Sequence, residues 1–250
     1  MAISKGSATE RETCCFTLAV EHYDAQKMEC IVYEGNQEQG YCCHSFIGLA
    51  RQMEQGFEKM DYPTPSVLKR QFAAFGSEKG KDRRGEGCMV PDRRDGRLGT
   101  FLIRVKQCFY ATWQGQVCRA GNEKDGVLFR NFLEFAVILD EMLSGTRALE
   151  MTDGRSMVDS LADALLFAGR YNGIWVEEQP SAEVLICGRN PKDSCKETFA
   201  VRPMFRENHT FQGSVSWMEG RQQKNFRSFL ELLFLIMSAE GKQAKKENDM

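Results

Sequence analysis

Two stretches of this chain repeat each other at a fixed spacing, and that self-similarity restricts its fold more than any other feature. TFLIRV at 100–105 corresponds to TFAVRP at 198–203, and TWQGQV at 112–117 to TFQGSV at 210–215, both at an offset of 98. FRNFLE at 129–134 then corresponds to FRSFLE at 226–231 at an offset of 97. A third, more diverged copy lies near the N-terminus. There Phe16 falls on Phe101 and Val32 on Val117 at an offset of 85. After a one-residue shift, Gly35-Asn36 fall on Gly121-Asn122, and Phe46, Ala50 and Met53 on Phe132, Ala136 and Leu139. This copy has Lys27-Met28-Glu29-Cys30 in place of TWQG.

Periodicity turns the repeat into a fold class. Phe101, Ile103 and Val105 alternate with Leu102, Arg104 and Lys106, and Trp113, Gly115 and Val117 with Thr112, Gln114 and Gln116. Phe211, Gly213, Val215 and Trp217 alternate in the same way with Thr210, Gln212, Ser214 and Ser216. Period 2 means strands, and the apolar set is the face to be buried. Helical stripes follow: Phe132, Phe135, Ala136, Leu139 and Leu143, then Phe229, Leu232, Leu233 and Ile236. Asn131 and Glu134, like Ser228 and Glu231, stand three apart as an N-cap and its capping-box carboxylate. Gly115 and Gly213, mid-strand on the buried side, permit a bulge or a close approach. The expected class is α+β: three diverged strand-strand-strand-helix repeats, with antiparallel sheets each covered on one face by a helix.

The same reading divides the chain. Repeats are expected at 13–60, 99–145 and 197–240. Residues 61–98 read as a short helix at 66–75 followed by a flexible basic linker, GSEKGKDRRGEG then DRRDGR. Its cations include Lys79, Lys81, Arg83, Arg84, Arg93, Arg94 and Arg97, but interspersed carboxylates favour a solvated tether over a track for nucleic acid. Residues 146–196 read as a helix plus a hairpin-like pair of strands, and 241–250 as a disordered charged tail.

A net charge of −2 supplies no global attraction for nucleic acid, so any such contact must be local. No apolar run has the length of a membrane span and the N-terminus has no apolar leader, so a cytoplasmic protein with reduced thiols is expected. Cys14, Cys15, Cys30, Cys42, Cys43 and His44 lack C-x-x-C spacing, which favours buried thiols over zinc. His22, His44 and His209 have no triad context, and the glycine-rich stretches match no phosphate-binding fingerprint. No cofactor, metal or catalytic residue is expected.

What remains is the polar strand face. Arg104, Lys106, Thr112, Gln114 and Arg130 in the second repeat are matched by Arg202, Thr210, Gln212 and Arg227 in the third. A recurring Arg–Thr–Gln–Arg set suits hydrogen bonding to phosphate. The alternative is that Arg130 and Arg227 pair with Glu134 and Glu231 and that the face is merely solvated. The first repeat carries Ala19, Lys27, Glu29 and His44 instead, which suits packing or a homodimer.

The TWQG and FRS-F-LEL segments (112–115 and 226–232) resemble a family of uncharacterised bacterial proteins in which such a module recurs in tandem or closes the chain. By element order the repeats are similar to the sheet-plus-helix units of PUR-type and PC4-type single-stranded nucleic-acid binders, although those have four strands before the helix. The bacterial family carries no activity over, and the recurring polar set with the basic linker favours a non-enzymatic protein that binds RNA or a single strand on the open sheet faces of the second and third repeats. A protein-interaction or regulatory scaffold is the other expectation.

Overall fold

Alternating apolar side chains lay down the strands, and apolar stripes at helical spacing lay down the helices that cover them. The computed structural model describes residues 14–24, 27–72, 88–146, 157–169, 174–178, 184–188, 197–207 and 209–243. Three strands, β1 (Cys14–Tyr23), β2 (Met28–Glu34) and β3 (Gly40–Cys43), precede helix α1 (Phe46–Met60). A two-residue strand β4 (Met89–Val90) follows, then β5 (Gly99–Gln107), β6 (Gln114–Arg119), β7 (Val127–Phe129) and α2 (Phe132–Ser144). Next come α3 (Met157–Gly169), β8 (Ile174–Glu178) and β9 (Val184–Gly188). The last elements are β10 (Thr198–Glu207), β11 (Thr210–Trp217), β12 (Gln222–Phe226) and α4 (Phe229–Gln243).

The protein is α+β, with antiparallel sheets. One sheet has seven strands in the order β4-β3-β2-β1-β5-β6-β7, and the other has five in the order β12-β11-β10-β9-β8. β1 pairs with β5, so the first two strand-and-helix segments share one sheet rather than each having its own. In the second sheet β9 takes the corresponding place beside β10. The covered faces of both sheets belong to one apolar core, built from Phe16, Phe101, Trp113, Phe199 and Phe211 among others.

Each long N-terminal strand carries a bulge near its end. Glu21, Lys106 and Met204 are the unpaired extra residues in β1, β5 and β10. Gly115 and Gly213 sit opposite the last two of these bulges. A Cβ would stand 2.1 Å from the Arg104 carbonyl oxygen at Gly115, and 2.2 Å from that of Arg202 at Gly213. Glycine is required there by backbone contact, the bulge alternative of the sequence reading.

Both pieces of the connector between α1 and β5 that lie within the described residues are bonded to the fold. The helix expected at 66–75 is absent over 66–72, and 73–75 lie outside the described residues. Phe72 is buried against Phe199 and Trp217. The N–H groups that a helix would need go elsewhere: Arg70 N donates to Glu231 Oε1 at 2.9 Å and Phe72 N to Ser238 Oγ at 3.2 Å. Residues 92–98, expected to be tether, lie across the outer face of β1 and β2. Arg93 donates to Thr17 Oγ1 and to the Gly35 carbonyl, and stacks over the Tyr33 ring. Lys79, Lys81, Arg83 and Arg84 lie outside the described residues, as do 244–250 of the tail.

Candidate functional site

Five of the nine polar residues singled out by the repeat serve the fold itself. Thr112 and Thr210, expected on the open face, are buried. Their hydroxyls accept from the first helical N–H groups, Phe132 N to Thr112 at 2.9 Å and Phe229 N to Thr210 at 3.0 Å. Those N–H groups have no partner inside their helices, so a threonine at or just before the start of β6 or β11 supplies one. The next donors go to the N-caps: Glu134 N to Asn131 Oδ1 and Glu231 N to Ser228 Oγ. Gln114 closes its own turn, accepting from Phe109 N and donating to the Phe109 and Arg130 carbonyls.

Arg130 and Arg227 grip the carboxylates four residues on. Arg130 Nη2 is 2.7 Å from Glu134 Oε1, and Arg227 Nη2 is 2.5 Å from Glu231 Oε1. Burial alone would raise both carboxyls. The arginine bonds and neighbouring backbone N–H groups outweigh it and hold Glu134 and Glu231 below the ordinary carboxylate value. The TWQG and FRS-F-LEL patterns therefore encode a helix start, a turn and a bulge.

The remaining four, Arg104, Lys106, Arg202 and Gln212, are at the surface, on two unlike faces. Arg104 stands opposite Cys15 and Gln116. The backbone N–H groups of Glu123 and Gly121 hold the Glu123 carboxyl below its ordinary value, and the Arg104 charge adds to this. Exposed Leu128 flanks Gln116. The face of the first segment is closed by residues 92–98 over Ala19, Ile31 and Tyr33, so the surface expected to pack or dimerise is filled from within the chain, while Lys27 pairs with Glu29.

The outer face of the third segment is polar, with Arg202, Gln223 and Asn225 exposed and Ser214 buried. Directly paired residues of an antiparallel sheet share a face. The rows are therefore Arg202–Ser214–Asn225, Ala200–Ser216–Gln223 and Phe205–Gln212. Phe205 is 57% exposed on it. Strict alternation from Phe199 would turn Phe205 inward; the bulge at Met204 reverses its side. Counting residues in the sequence could not find it.

Elsewhere, burial pushes the Cys108 thiol up to about 12 and raises Cys118, the opposite of what a nucleophilic cysteine requires. Cys30, Cys42, Cys43, Cys88, Cys108 and Cys118 are free thiols. Among the described residues no group of three His, Cys, Asp or Glu is set to hold a metal ion, and no helix is long and apolar enough to cross a membrane. No protein-family model, no curated protein and no solved structure matches the chain.

Proposed function

We propose that this is a non-enzymatic binding protein built from three diverged strand-strand-strand-helix repeats, and that the outer face of its third repeat receives single-stranded nucleic acid. Register supports the repeat reading. At an offset of 85, β1 maps onto β5, and Phe16↔Ile103 with Leu18↔Phe101 is the pairing a two-fold axis through Thr17 and Leu102 demands. The bulges at Glu21, Lys106 and Met204 fall at the same offsets as the sequence matches.

The observation that carries the binding reading is Phe205. An exposed ring stands on the outer sheet face beside Gln212, and the neighbouring rows of that face carry Arg202, Ser216, Gln223 and Asn225. An aromatic ring stacks on any base, an arginine answers a phosphate, and short polar side chains reach base edges. Double-stranded partners fit less well, because no described element projects as a basic helix for a major groove.

The test is fluorescence anisotropy with labelled single-stranded RNA and DNA at stepped salt. Phe205→Ala should weaken binding by roughly 1–3 kcal/mol, the usual contribution of one stacked base. Stability should change by less than about 0.5 kcal/mol, as for other exposed positions. Failure of both nucleic acids to bind at about 50 mM salt would overturn the reading. A second reading, a protein-interaction scaffold, draws on the exposed Val127 and Leu128 of edge strand β7.

A further inference from the structure

A groove of about 540 Å³ runs along the free edge of the second sheet, lined by Arg70, Gln71, Gln223, Lys224 and Asn225. Among the described residues its lining is two cations and three carboxamides with no carboxylate, in a chain whose net charge is −2. Among the described residues, neither Arg70 nor Lys224 stands within ion-pair distance of a carboxylate. The nearest acid on the Arg70 backbone, Glu231, is fully buried and already matched by Arg227. Arg70 Nη1 donates to the Asn225 carbonyl at 2.9 Å, which fixes the guanidinium at the groove wall, and among the described residues its other donors have no acceptor.

The groove is continuous with the polar face. Gln223 and Asn225 line it and also end the rows that begin at Ala200 and Arg202, whereas Lys224, paired with Val215, comes to the groove from the other side of the edge strand. Two strand spacings, roughly 10 Å, separate Arg202 from Asn225. A nucleic-acid strand lying across the sheet can therefore meet Phe205 on the face and then reach the edge.

We propose that this groove is a phosphate site, in which Arg70 and Lys224 hold one phosphodiester of the crossing strand and the three carboxamides donate to its oxygens. The proposal rests on the single-strand reading for its source of phosphate, and the experiment separates the two. Wild-type full-length protein and Lys224→Gln are titrated with a labelled single strand, with the same sequence on an uncharged methylphosphonate backbone, and with inorganic phosphate alone. Phosphate binding is followed by the amide resonances of Lys224 and Asn225, and thermal melts check that the variant is folded.

The phosphodiester strand should bind Lys224→Gln roughly three- to ten-fold more weakly, and the log–log salt slope should fall by about 0.7, the value for one phosphate on a single strand. The methylphosphonate strand should not distinguish the two proteins. An unchanged slope in Lys224→Gln, with Phe205→Ala losing affinity, overturns the phosphate site and keeps the face. Absence of strand binding, with phosphate shifting the two amides only in the wild type, supports the phosphate site and overturns the strand as its source. Absence of both overturns the site.

Discussion

Ser228 donates its hydroxyl to the Ala111 carbonyl at 2.7 Å, and the reciprocal contact is made by Asn131, which donates to the His209 carbonyl at 2.7 Å. Each N-cap thus holds the β-turn of the other segment, at residues with left-handed backbones, φ +57° for Ala111 and +60° for His209. Ala111 and His209 are 98 apart and Asn131 and Ser228 97 apart, the offsets of the sequence repeat. Each helix start is bonded within its own segment through Thr112 or Thr210 and to its partner's turn through the cap. These bonds cement the second segment to the third.

The Ser228 hydroxyl is both donor and acceptor in a fully buried site. Ser228→Ala should cost roughly 2 kcal/mol, because a helix cap is lost and two buried groups lose their partner. Ser228→Thr should be milder. Ser228→Asp keeps a capping oxygen but sets a carboxylate against the Ala111 carbonyl, so it should be worse than threonine. Urea unfolding ranks the three; aspartate equal to or better than threonine would show that the contact to Ala111 contributes nothing.

Glu231 and Glu134 make the same bonds at different depths. Glu231 is 0% exposed and Arg227 28%, whereas Glu134 is 24% and Arg130 59%. The difference arises at residues 68–70, where Arg227 also donates to the Leu68 carbonyl and Arg70 N donates to Glu231. Glu231→Gln should cost on the order of 3 kcal/mol, and Glu134→Gln less than about 1 kcal/mol.

Both carboxyls titrate below their unfolded values, so their contribution is complete above about pH 4.3 and is lost as pH falls through the folded value. Acid should therefore destabilise the wild type more steeply than Glu231→Gln. Parallel acid limbs in the two stability profiles would contradict the ion pair.

Gly115→Ala and Gly213→Ala should each cost more than about 2 kcal/mol, since the new methyl meets a backbone oxygen that cannot swing aside. Gly121→Ala is the control. Nothing lies within 4 Å of its Cβ position, and its φ of +82° should cost about 1 kcal/mol. Chemical denaturation that placed all three at the control value would mean that the bulges do not persist in solution.

By itself the sequence determined what short windows of chain encode. The strand faces follow from period 2, the helix stripes from period 3.6, and the caps at Asn131 and Ser228 from residues three apart, because each involves atoms within one or two turns of chain. The arginines at 130 and 227 were legible as i,i+4 partners for the same reason. Thr112 was not legible as a capping residue, because its target, Phe132 N, is 20 residues away.

Only the tertiary structure decided which polar faces stay open. Residues 92–98 close the first face, and the bulge at Met204 turns Phe205 outward on the third. It also decided that residues 68–72 bury Glu231 and place Arg70 beside β12. The physical reason is common to these cases. A side chain's face is set by local alternation until an unpaired residue shifts the register. Exposure is set by whichever distant segment gains most by covering that face, a competition decided over the whole chain.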